Sequence, residues 1–272
     1  MSYWSGLSLD RPRVMGVLNV TPDSFSDGSD FLDPEAAIAA GLAMAAAGTD
    51  IIDVGGESTR PRSAPTSPAE EQRRILPVIR GLAAAGLRVS VDTRHAATMA
   101  AALDVGATIV NDVSALTYDP LAAPLVAARG CPVVLMHMRG TPADMHAQAR
   151  YDDVGADVAR ELGERIEAAE CAGIARDRIA IDPGIGFAKT ADQSLELLRR
   201  LSELGSLGRP IVVGVSRKSF LGAVTAEHDV RRRLPGSLAA GLFALLRGAA
   251  ILRVHDVAET IQAIKVWQAL VS

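Results

Sequence analysis

The chain has 272 residues, of which 49% are hydrophobic and 22% charged, and its formal net charge at pH 7 is -4. This composition predicts a globular protein with a large core, and the weak negative charge gives no electrostatic reason to expect nucleic-acid binding. The two cysteines, Cys131 and Cys171, lack metal-ligand spacing, so no zinc site is expected. No signal-peptide pattern or membrane-length apolar run occurs, and we therefore expect a cytoplasmic protein without membrane partners.

Short apolar runs alternate with longer segments rich in Ala, Leu, Glu and Arg. The predicted strands are Val14–Val20, Asp50–Gly55, Arg88–Asp92, Thr108–Val113, Pro132–His137, Ile179–Asp182, Ile211–Val215 and Ala250–Val254. The predicted helices are Pro34–Ala47, Ala69–Ala85, Ala96–Val105, Pro120–Ala128, Val154–Ala172, Ser194–Leu204, Leu238–Arg247 and Val257–Leu270. The strands are almost wholly apolar and lack a period of two, which is typical of parallel strands buried on both faces.

Eight strand–helix units predict an α/β fold, namely a (β/α)8 TIM barrel. We expect one domain over residues 1–272, with a short N-terminal extension at residues 1–12, because no change in composition marks a boundary. An open, doubly wound sheet is the alternative. It is weakened because no Gly-x-Gly-x-x-Gly fingerprint follows the first strand.

Two long loops follow the first and second predicted strands. Thr21–Leu32 and Glu57–Pro68 are rich in Ser, Asp, Gly and Pro, and both exceed the roughly 2–6 residues of an ordinary strand–helix connection. Long loops on a rigid barrel commonly cover an active site. A tolerated surface insertion is the alternative interpretation.

Polar residues end nearly every predicted strand, where a barrel enzyme places its chemistry. These are Asn19, Asp53, Asp92, Asn111, Asp112, His137, Asp182, Ser216, Arg217, Lys218, Arg253 and His255. Some acidic residues at strand ends cap the next helix instead, which is the interpretation we give to Asp33, Asp119 and Asp256. Capping does not account for four residues that lie far from any predicted helix start: Asp92, Asn111, Asp182 and Lys218.

Carboxylates and a carboxamide brought together suit the N–H and oxygen groups of an amino-oxo heterocycle, because buried carboxylates need compensating donors. The cationic or donor groups of Arg60, Arg253 and His255 suit phosphate oxygens. A heterocycle carrying a diphosphate satisfies both requirements.

Eight motifs occur in one order along the chain. They are MGVLNVTPDSFSDG (15–28), GGESTRP (55–61), SVDT (90–93), ND (111–112), HMRGTP (137–142), DPGIGFAK (182–189), GVSRKSFLG (214–222) and RVHDV (253–257). Together they resemble the bacterial dihydropteroate synthase family of pterin-binding (β/α)8 barrels. The resemblance runs from about Val14 to the C-terminus, and NVTPDSFSDG and GVSRKSFLG are its most specific parts.

The resemblance implies a role for each matching residue. The pterin ring would be bound by Asp92, Asn111, Asp182 and Lys218. The diphosphate would be bound by Asn19, Thr59, Arg60, Arg253 and His255, with Asn19 also helping to hold Mg²⁺. The para-aminobenzoate site would be bordered by Pro61, Phe187 and Ser219, and the catalytic residues would be Asp27, Arg60 and Lys218, with Asp27 stabilising a pterin cation.

The implied reaction is displacement of diphosphate from the pterin methylene by the aryl amine of para-aminobenzoate, which forms 7,8-dihydropteroate. One alternative is a methyltetrahydrofolate methyltransferase-like barrel, against which the diphosphate and aminobenzoate motifs argue. A non-catalytic pterin-binding paralogue is another, although Asp27, Asn19 and Lys218 are all retained. Both substrates are small molecules, and whether the protein resists sulfonamides does not follow from the sequence.

Four further expectations concern single residues and the surface. Ala188 replaces a glycine common in DPGIGFGK, so it is expected to bear strain if that position has a positive φ. His137 is either structural or part of the site, and Met136 or Met138 lines the pterin pocket or fills the core. The apolar character of the last two helices fits the homodimer that the resemblance implies.

Overall fold

A computed structural model describes residues 3–21, 33–58, 66–141 and 144–271. Within these ranges eight parallel strands form one sheet: β3 (Arg13–Asn19), β4 (Ile51–Gly55), β5 (Val89–Asp92), β6 (Ile109–Asp112), β7 (Val133–Met136), β8 (Ile179–Asp182), β9 (Val212–Val213) and β10 (Ile251–Val254). Neighbours pair in the order β8-β7-β6-β5-β4-β3-β10-β9. The two ends of this order meet through a parallel bridge between Ile181 and Ile211. The predicted (β/α)8 barrel is confirmed, and the open-sheet alternative is wrong.

Helices cover the outside of the barrel, and their apolar faces share one core with the outward-facing residues of the strands. In the described chain they are α1 (Pro34–Ala47), α2 (Pro68–Ala84), α3 (Ala96–Asp104), α4 (Ala122–Arg129), α5 (Val154–Cys171), α6 (Ala191–Arg199), α7 (Ser219–Thr225), α8 (Leu234–Leu246) and α9 (Val257–Val271). Among these residues no helix has the length and apolarity needed to cross a membrane.

The largest differences from the predicted helices are at α6, α7 and α8, and α8 begins at Leu234, not Leu238. Helix α6 begins at Ala191, not Ser194, because Thr190 and Gln193 form a capping box. Its predicted C-terminal half is a separate 3-10 segment, Leu201–Leu207. Helix α7 was not predicted, because its seven residues lie directly after a motif interpreted as a strand end.

The three capping predictions have different outcomes. Asp33 caps α1 by accepting a hydrogen bond from the backbone N–H of Glu35. The carboxylate of Asp119 accepts from the backbone N–H groups of Leu121 and Ala96. It therefore does not cap α4 directly, and α4 begins only at Ala122. The side chain of Asp256 instead forms an ion pair with Arg217.

A short hairpin closes the N-terminal end of the barrel. It comprises β1 (Tyr3–Trp4) and β2 (Leu7–Ser8), which pair antiparallel. Trp4 is buried against the inward-facing residues at that end, and its Nε1 donates to the carbonyl of Arg178 at 2.9 Å. Residues predicted to be a simple extension therefore complete the core.

Candidate active site

The polar strand ends lie at one level of the sheet because the strands are in register. Asn19 pairs with Gly55, Gly55 with Asp92, and Asp92 with Asn111. On the other side of the barrel, Asp182 pairs with Met136. Since the strands are parallel, all these residues face the same, C-terminal end, as predicted.

A pocket opens among these strand ends, and we call it the strand-end pocket. It is lined by Asp92, Asn111, Val113, Met136, Asp182, Gly184, Ile185, Phe187, Gly214, Lys218 and Arg253. The four residues predicted to bind the pterin ring all line it, as does Met136. The arrangement combines apolar walls with a few convergent polar groups, which is the usual composition of a small-molecule site.

Arg253 connects two carboxylates at the base of the strand-end pocket. Its Nε donates to Asp53 Oδ2 at 2.7 Å and its Nη2 to Asp92 Oδ2 at 2.6 Å. Asn111 Nδ2 also donates to Asp53 Oδ2, at 2.9 Å. The amide of Asn111 is therefore oriented with its oxygen available as an acceptor. These bonds use two of the five N–H donors of Arg253, so the second N–H of Nη2 and both of Nη1 remain for the anion binding predicted from the sequence.

Asp53 takes part in the hydrogen-bond network of the site, although no ligand role was predicted for it. It is fully buried inside β4, and a carboxylate at such a position needs compensation from a cation or a donor. Its isolation in an otherwise apolar strand was the available signal. Its partners Arg253 and Asn111 lie on other strands, so the sequence could not identify them.

Burial changes the acidity of the groups in the strand-end pocket. Burial raises the pKa of Asp92 to about 7, although the positive charge of Arg253 opposes the shift. Burial likewise raises the pKa of Asp182, whose Oδ1 accepts from the backbone N–H of Gly184 at 2.7 Å. Burial also lowers the pKa of Lys218 to about 8, with Asp182 acting in the opposite direction. Perturbed acids and bases that converge in one pocket are typical of functional sites.

The segment 184–188, here called the Phe187 turn, forms one wall of the pocket. The backbone N–H of Phe187 donates to the carbonyl of Gly184 at 2.9 Å. The Phe187 ring centroid lies 3.9 Å from Lys218 Nζ, which is a cation–π contact. Ala188 has a φ of +47°, so the strain expected from its replacing a glycine is present.

His137 and Lys189 lie behind the Phe187 turn. Both nitrogens of His137 have partners, Glu161 through Nε2 and Lys189 through Nδ1, and its side chain does not line the strand-end pocket. Lys189 ends the DPGIGFAK motif, but the sequence indicated no role for it. A lysine that ends such a motif is usually interpreted as a surface residue, and only the fold shows that it is buried.

His255 lies at the end of β10 beside Ser216. Its Nδ1 is 3.0 Å from Ser216 Oγ, and its backbone N–H donates to the same oxygen. Burial and the positive charges of Arg253 and Arg217 lower the pKa of His255 to about 4. It is therefore uncharged at neutral pH, and the anion binding predicted for it stays a prediction.

The other predicted site residues have different outcomes. Asn19 ends β3, partly exposed at the C-terminal face, and Ser219 is exposed at the first position of α7, next to Lys218. Four predicted residues lie outside the described residues: Asp27, Thr59, Arg60 and Pro61. Their roles stay predictions.

Comparisons with known proteins place this site in a family. A model of the family described as "Pterin binding enzyme" matches residues 15–255. The dihydropteroate synthase of Neisseria meningitidis serogroup C is 45% identical over 269 residues, covering 97% of this chain and 94% of that protein. The chain belongs to the dihydropteroate synthase family. The resemblance of its motifs is thereby confirmed.

Solved structures of the family match the same fold. Xanthomonas albilineans dihydropteroate synthase with 4-aminobenzoic acid has a TM-score of 0.93 at 50% identity, covering 98% of this chain and 97% of that one. The enzyme of the same organism in complex with 7,8-dihydropteroate has a TM-score of 0.89 at 48% identity, with coverage of 98% and 96%. The family match begins after the N-terminal hairpin and includes every residue that lines the strand-end pocket.

Proposed function

We propose that this chain condenses 6-hydroxymethyl-7,8-dihydropterin diphosphate with para-aminobenzoate, releasing diphosphate and forming 7,8-dihydropteroate. The observation that carries the proposal is the strand-end pocket, where Asp92, Asn111, Asp182 and Lys218 converge beside Phe187. Membership of the dihydropteroate synthase family and the named ligands of its solved members support the same reaction.

The polar groups of the pocket fit the edge of a pterin ring. Asp182 has one carboxylate oxygen occupied by the N–H of Gly184, which leaves the other free to accept from ring or amino N–H groups. Asn111 offers its amide oxygen, because its nitrogen donates to Asp53. Lys218 is a donor for a ring carbonyl or ring nitrogen. The ring is therefore fixed in one orientation, with its methylene carbon toward the open end of the barrel.

Fixing that orientation is the main contribution of the described residues to the chemistry. Two reactants held in the reactive geometry react in an effectively unimolecular step, which lowers the entropic part of the barrier. The bond from the pterin methylene to the diphosphate oxygen breaks, the aryl amine forms the new carbon–nitrogen bond, and the proton that its nitrogen loses passes to the released diphosphate or to water. A delocalised pterin cation makes a dissociative path favourable, and the carboxylates of Asp92 and Asp182 lie in the pocket where that charge develops. The aryl amine is neutral at pH 7, so no strong base is required.

Leaving-group binding is assigned to the same C-terminal face of the barrel. Arg253 and His255 would bind the diphosphate, together with Asn19, Thr59 and Arg60. Asn19 suits Mg²⁺ because a partly exposed amide oxygen at a strand end is the kind of single protein ligand that this ion takes beside substrate phosphates and water. The bound ion would supply neutralisation of the charge that builds on the diphosphate.

Two further features belong to the proposal. A homodimer is supported by exposed apolar side chains on the last two helices, with Leu246 at 62%, Val266 at 59% and Leu270 at 80% exposure. Sedimentation that gives a concentration-independent monomer mass would contradict it. A cytosolic location, where the folate pathway's small molecules are available, stays a prediction.

The deciding experiment is an assay with the pterin diphosphate, radiolabelled para-aminobenzoate and Mg²⁺. We expect labelled dihydropteroate from the wild type and none from Lys218→Ala. Exposed Lys265 on α9 supplies the matched control, and Lys265→Ala should remain active. A wild-type protein that binds the pterin diphosphate but forms no product would instead favour the non-catalytic paralogue.

A further inference from the structure

Lys189 has a buried amino group whose pKa is lowered to about 7 by burial, but its three hydrogen-bond partners are all acceptors and therefore stabilise the charged form. The residue is 4% exposed. Its Nζ lies 3.1 Å from the carbonyl oxygen of Gly184, 3.0 Å from that of Phe187 and 3.0 Å from His137 Nδ1. An ammonium group has three N–H donors, so these three acceptors satisfy it completely.

The partners of His137 determine where its proton lies. His137 Nε2 is 2.9 Å from Glu161 Oε2, and an ionised carboxylate can only accept, so Nε2 carries the proton. The other nitrogen, Nδ1, is therefore an acceptor directed at Lys189. Arg139 holds Glu161 in turn, with its Nε 3.1 Å from both carboxylate oxygens. The row of groups behind the turn is thus cation, neutral ring, anion and cation.

The Phe187 turn has a backbone that needs such support. Gly184, Gly186 and Ala188 have φ values of +66°, +80° and +47°, and a left-handed alanine is held there only when its surroundings impose it. Gly184 also packs directly against the carbonyl oxygen of His137, so a Cβ added at Gly184 would lie only 1.9 Å from that atom. The turn is fixed between the backbone of His137 on one side and Lys189 Nζ on the other.

Movement of this turn would move Phe187, whose ring lies over Lys218 Nζ. We propose that Lys189 is a positioning residue for the aminobenzoate half of the site. It holds Phe187 over Lys218 through the carbonyl groups of Gly184 and Phe187, while His137 and Glu161 orient its ammonium group. This inference rests on the proposed function and on the role that the sequence resemblance implies for Phe187, at the border of the para-aminobenzoate site.

The first test is steady-state kinetics of Lys189→Met with each substrate varied in turn. We expect the KM for para-aminobenzoate to rise about tenfold or more, the effect of losing a hydrogen bond to a charged group. The KM for the pterin diphosphate should rise several-fold less than that for para-aminobenzoate, since Asp92, Asn111, Asp182 and Lys218 keep their side chains and only Asp182 and Lys218 contact the turn. Exposed Lys265→Met is the matched control. Equal losses for both substrates would overturn the positioning role, as would no loss.

A double-mutant cycle with Phe187→Ala shows whether Lys189 acts through Phe187. If it does, Lys189→Met added to Phe187→Ala raises the KM for para-aminobenzoate by less than about twofold. If Lys189→Met raises this KM as much in the Phe187→Ala background as in the wild type, Lys189 acts by another route and the proposal is wrong.

Two variants of His137 keep the test decisive if Lys189→Met does not fold. Asn places its side-chain oxygen near the position of Nδ1, so His137→Asn should preserve the acceptor for Lys189 and the KM for para-aminobenzoate. His137→Leu removes the acceptor and should raise that KM selectively. Equal kinetics for the two variants overturn the proposal. A wild type that makes no dihydropteroate overturns the proposed function and this inference with it, whereas an active wild type with unaffected variants overturns this inference alone.

Discussion

Arg253 and Asp92 form an ion pair of 2.6 Å at the base of the strand-end pocket, and the same guanidinium group also binds the fully buried Asp53. One cation therefore compensates two carboxylates that the fold brings together from β4 and β5. Removing one partner of a buried ion pair leaves an uncompensated charge, which costs more than the pair itself contributes.

The variant Arg253→Met should lower the free energy of unfolding by about 3–5 kcal/mol. Met keeps the unbranched stem of Arg but is shorter, so a small loss of packing adds to the effect of the lost charge. Urea denaturation provides the measurement. Adding Asp53→Asn to Arg253→Met should restore part of the stability, because one uncompensated charge is removed. A double variant less stable than Arg253→Met would contradict the assignment.

Gly184 should not tolerate a methyl group. An added Cβ would lie 1.9 Å from the carbonyl oxygen of His137, so Gly184→Ala must displace the Phe187 turn. Gly208 is the matched control, because its φ of +64° is close to the +66° of Gly184 but an added Cβ meets nothing within 4 Å. We expect Gly208→Ala to cost about 1 kcal/mol of strain, and Gly184→Ala to cost more and to abolish dihydropteroate formation. Similar activity in the two variants would show that the turn accommodates the methyl group.

Glu71 should make the protein less stable as the pH rises. Its side chain is fully buried on α2, Thr93 donates to one of its oxygens at 2.8 Å, and burial raises its pKa to about 7 from 4.5. The folded state then binds more protons than the unfolded state between these values, so the free energy of unfolding falls by about 3 kcal/mol from pH 4.5 to pH 7.

The variant Glu71→Gln should lack this loss. Its stability relative to wild type should therefore grow by about 3 kcal/mol between pH 5 and pH 8. Denaturant titrations across this range measure the difference, with exposed Glu259→Gln on α9 as the control. Parallel pH profiles for Glu71→Gln and wild type would show that Glu71 does not titrate in this range.

Trp4 should be important for stability and not for catalysis. It is 1% exposed at the end of the barrel opposite the strand-end pocket. Trp4→Ala should cost about 3–5 kcal/mol, the range for removing a buried aromatic side chain, with kcat at 25 °C unchanged. Tyr3→Ala is the control, because Tyr3 is 58% exposed. An unfolding midpoint unaffected by Trp4→Ala would exclude the hairpin from the core.

Most of the barrel could be predicted from the sequence because its strands are buried on both faces. Their apolar runs gave strand ends within about two residues, including Ile179–Asp182 without change. The seventh strand was predicted as Ile211–Val215 but comprises only Val212–Val213, because Ile211 forms only the bridge to Ile181 and Gly214 and Val215 lie beyond the last strand pairing. The hairpin at Tyr3–Ser8 was missed because two-residue strands carry no periodicity.

The predicted site was correct where a residue's role depends on its position at a strand end. Asp92, Asn111, Asp182 and Lys218 meet because parallel strands bring their carboxyl ends together. Partnerships between distant strands could not be predicted. The bond from Arg253 to Asp53 joins residues 200 positions apart in the chain. No local sequence pattern indicates that Arg253, which was predicted to bind the diphosphate, already pairs with a carboxylate of the protein.

The placement of Trp4 also bears on the order in which the chain folds. The residues packed with it come from strands at both ends of the chain, among them Met15 on β3 and Ile251 on β10. Trp4 precedes every strand of the barrel in the chain, yet its site exists only after β10 has paired with β3. With Trp267 as the only other tryptophan, the fluorescence of a Trp267→Phe variant would report the moment at which the barrel closes.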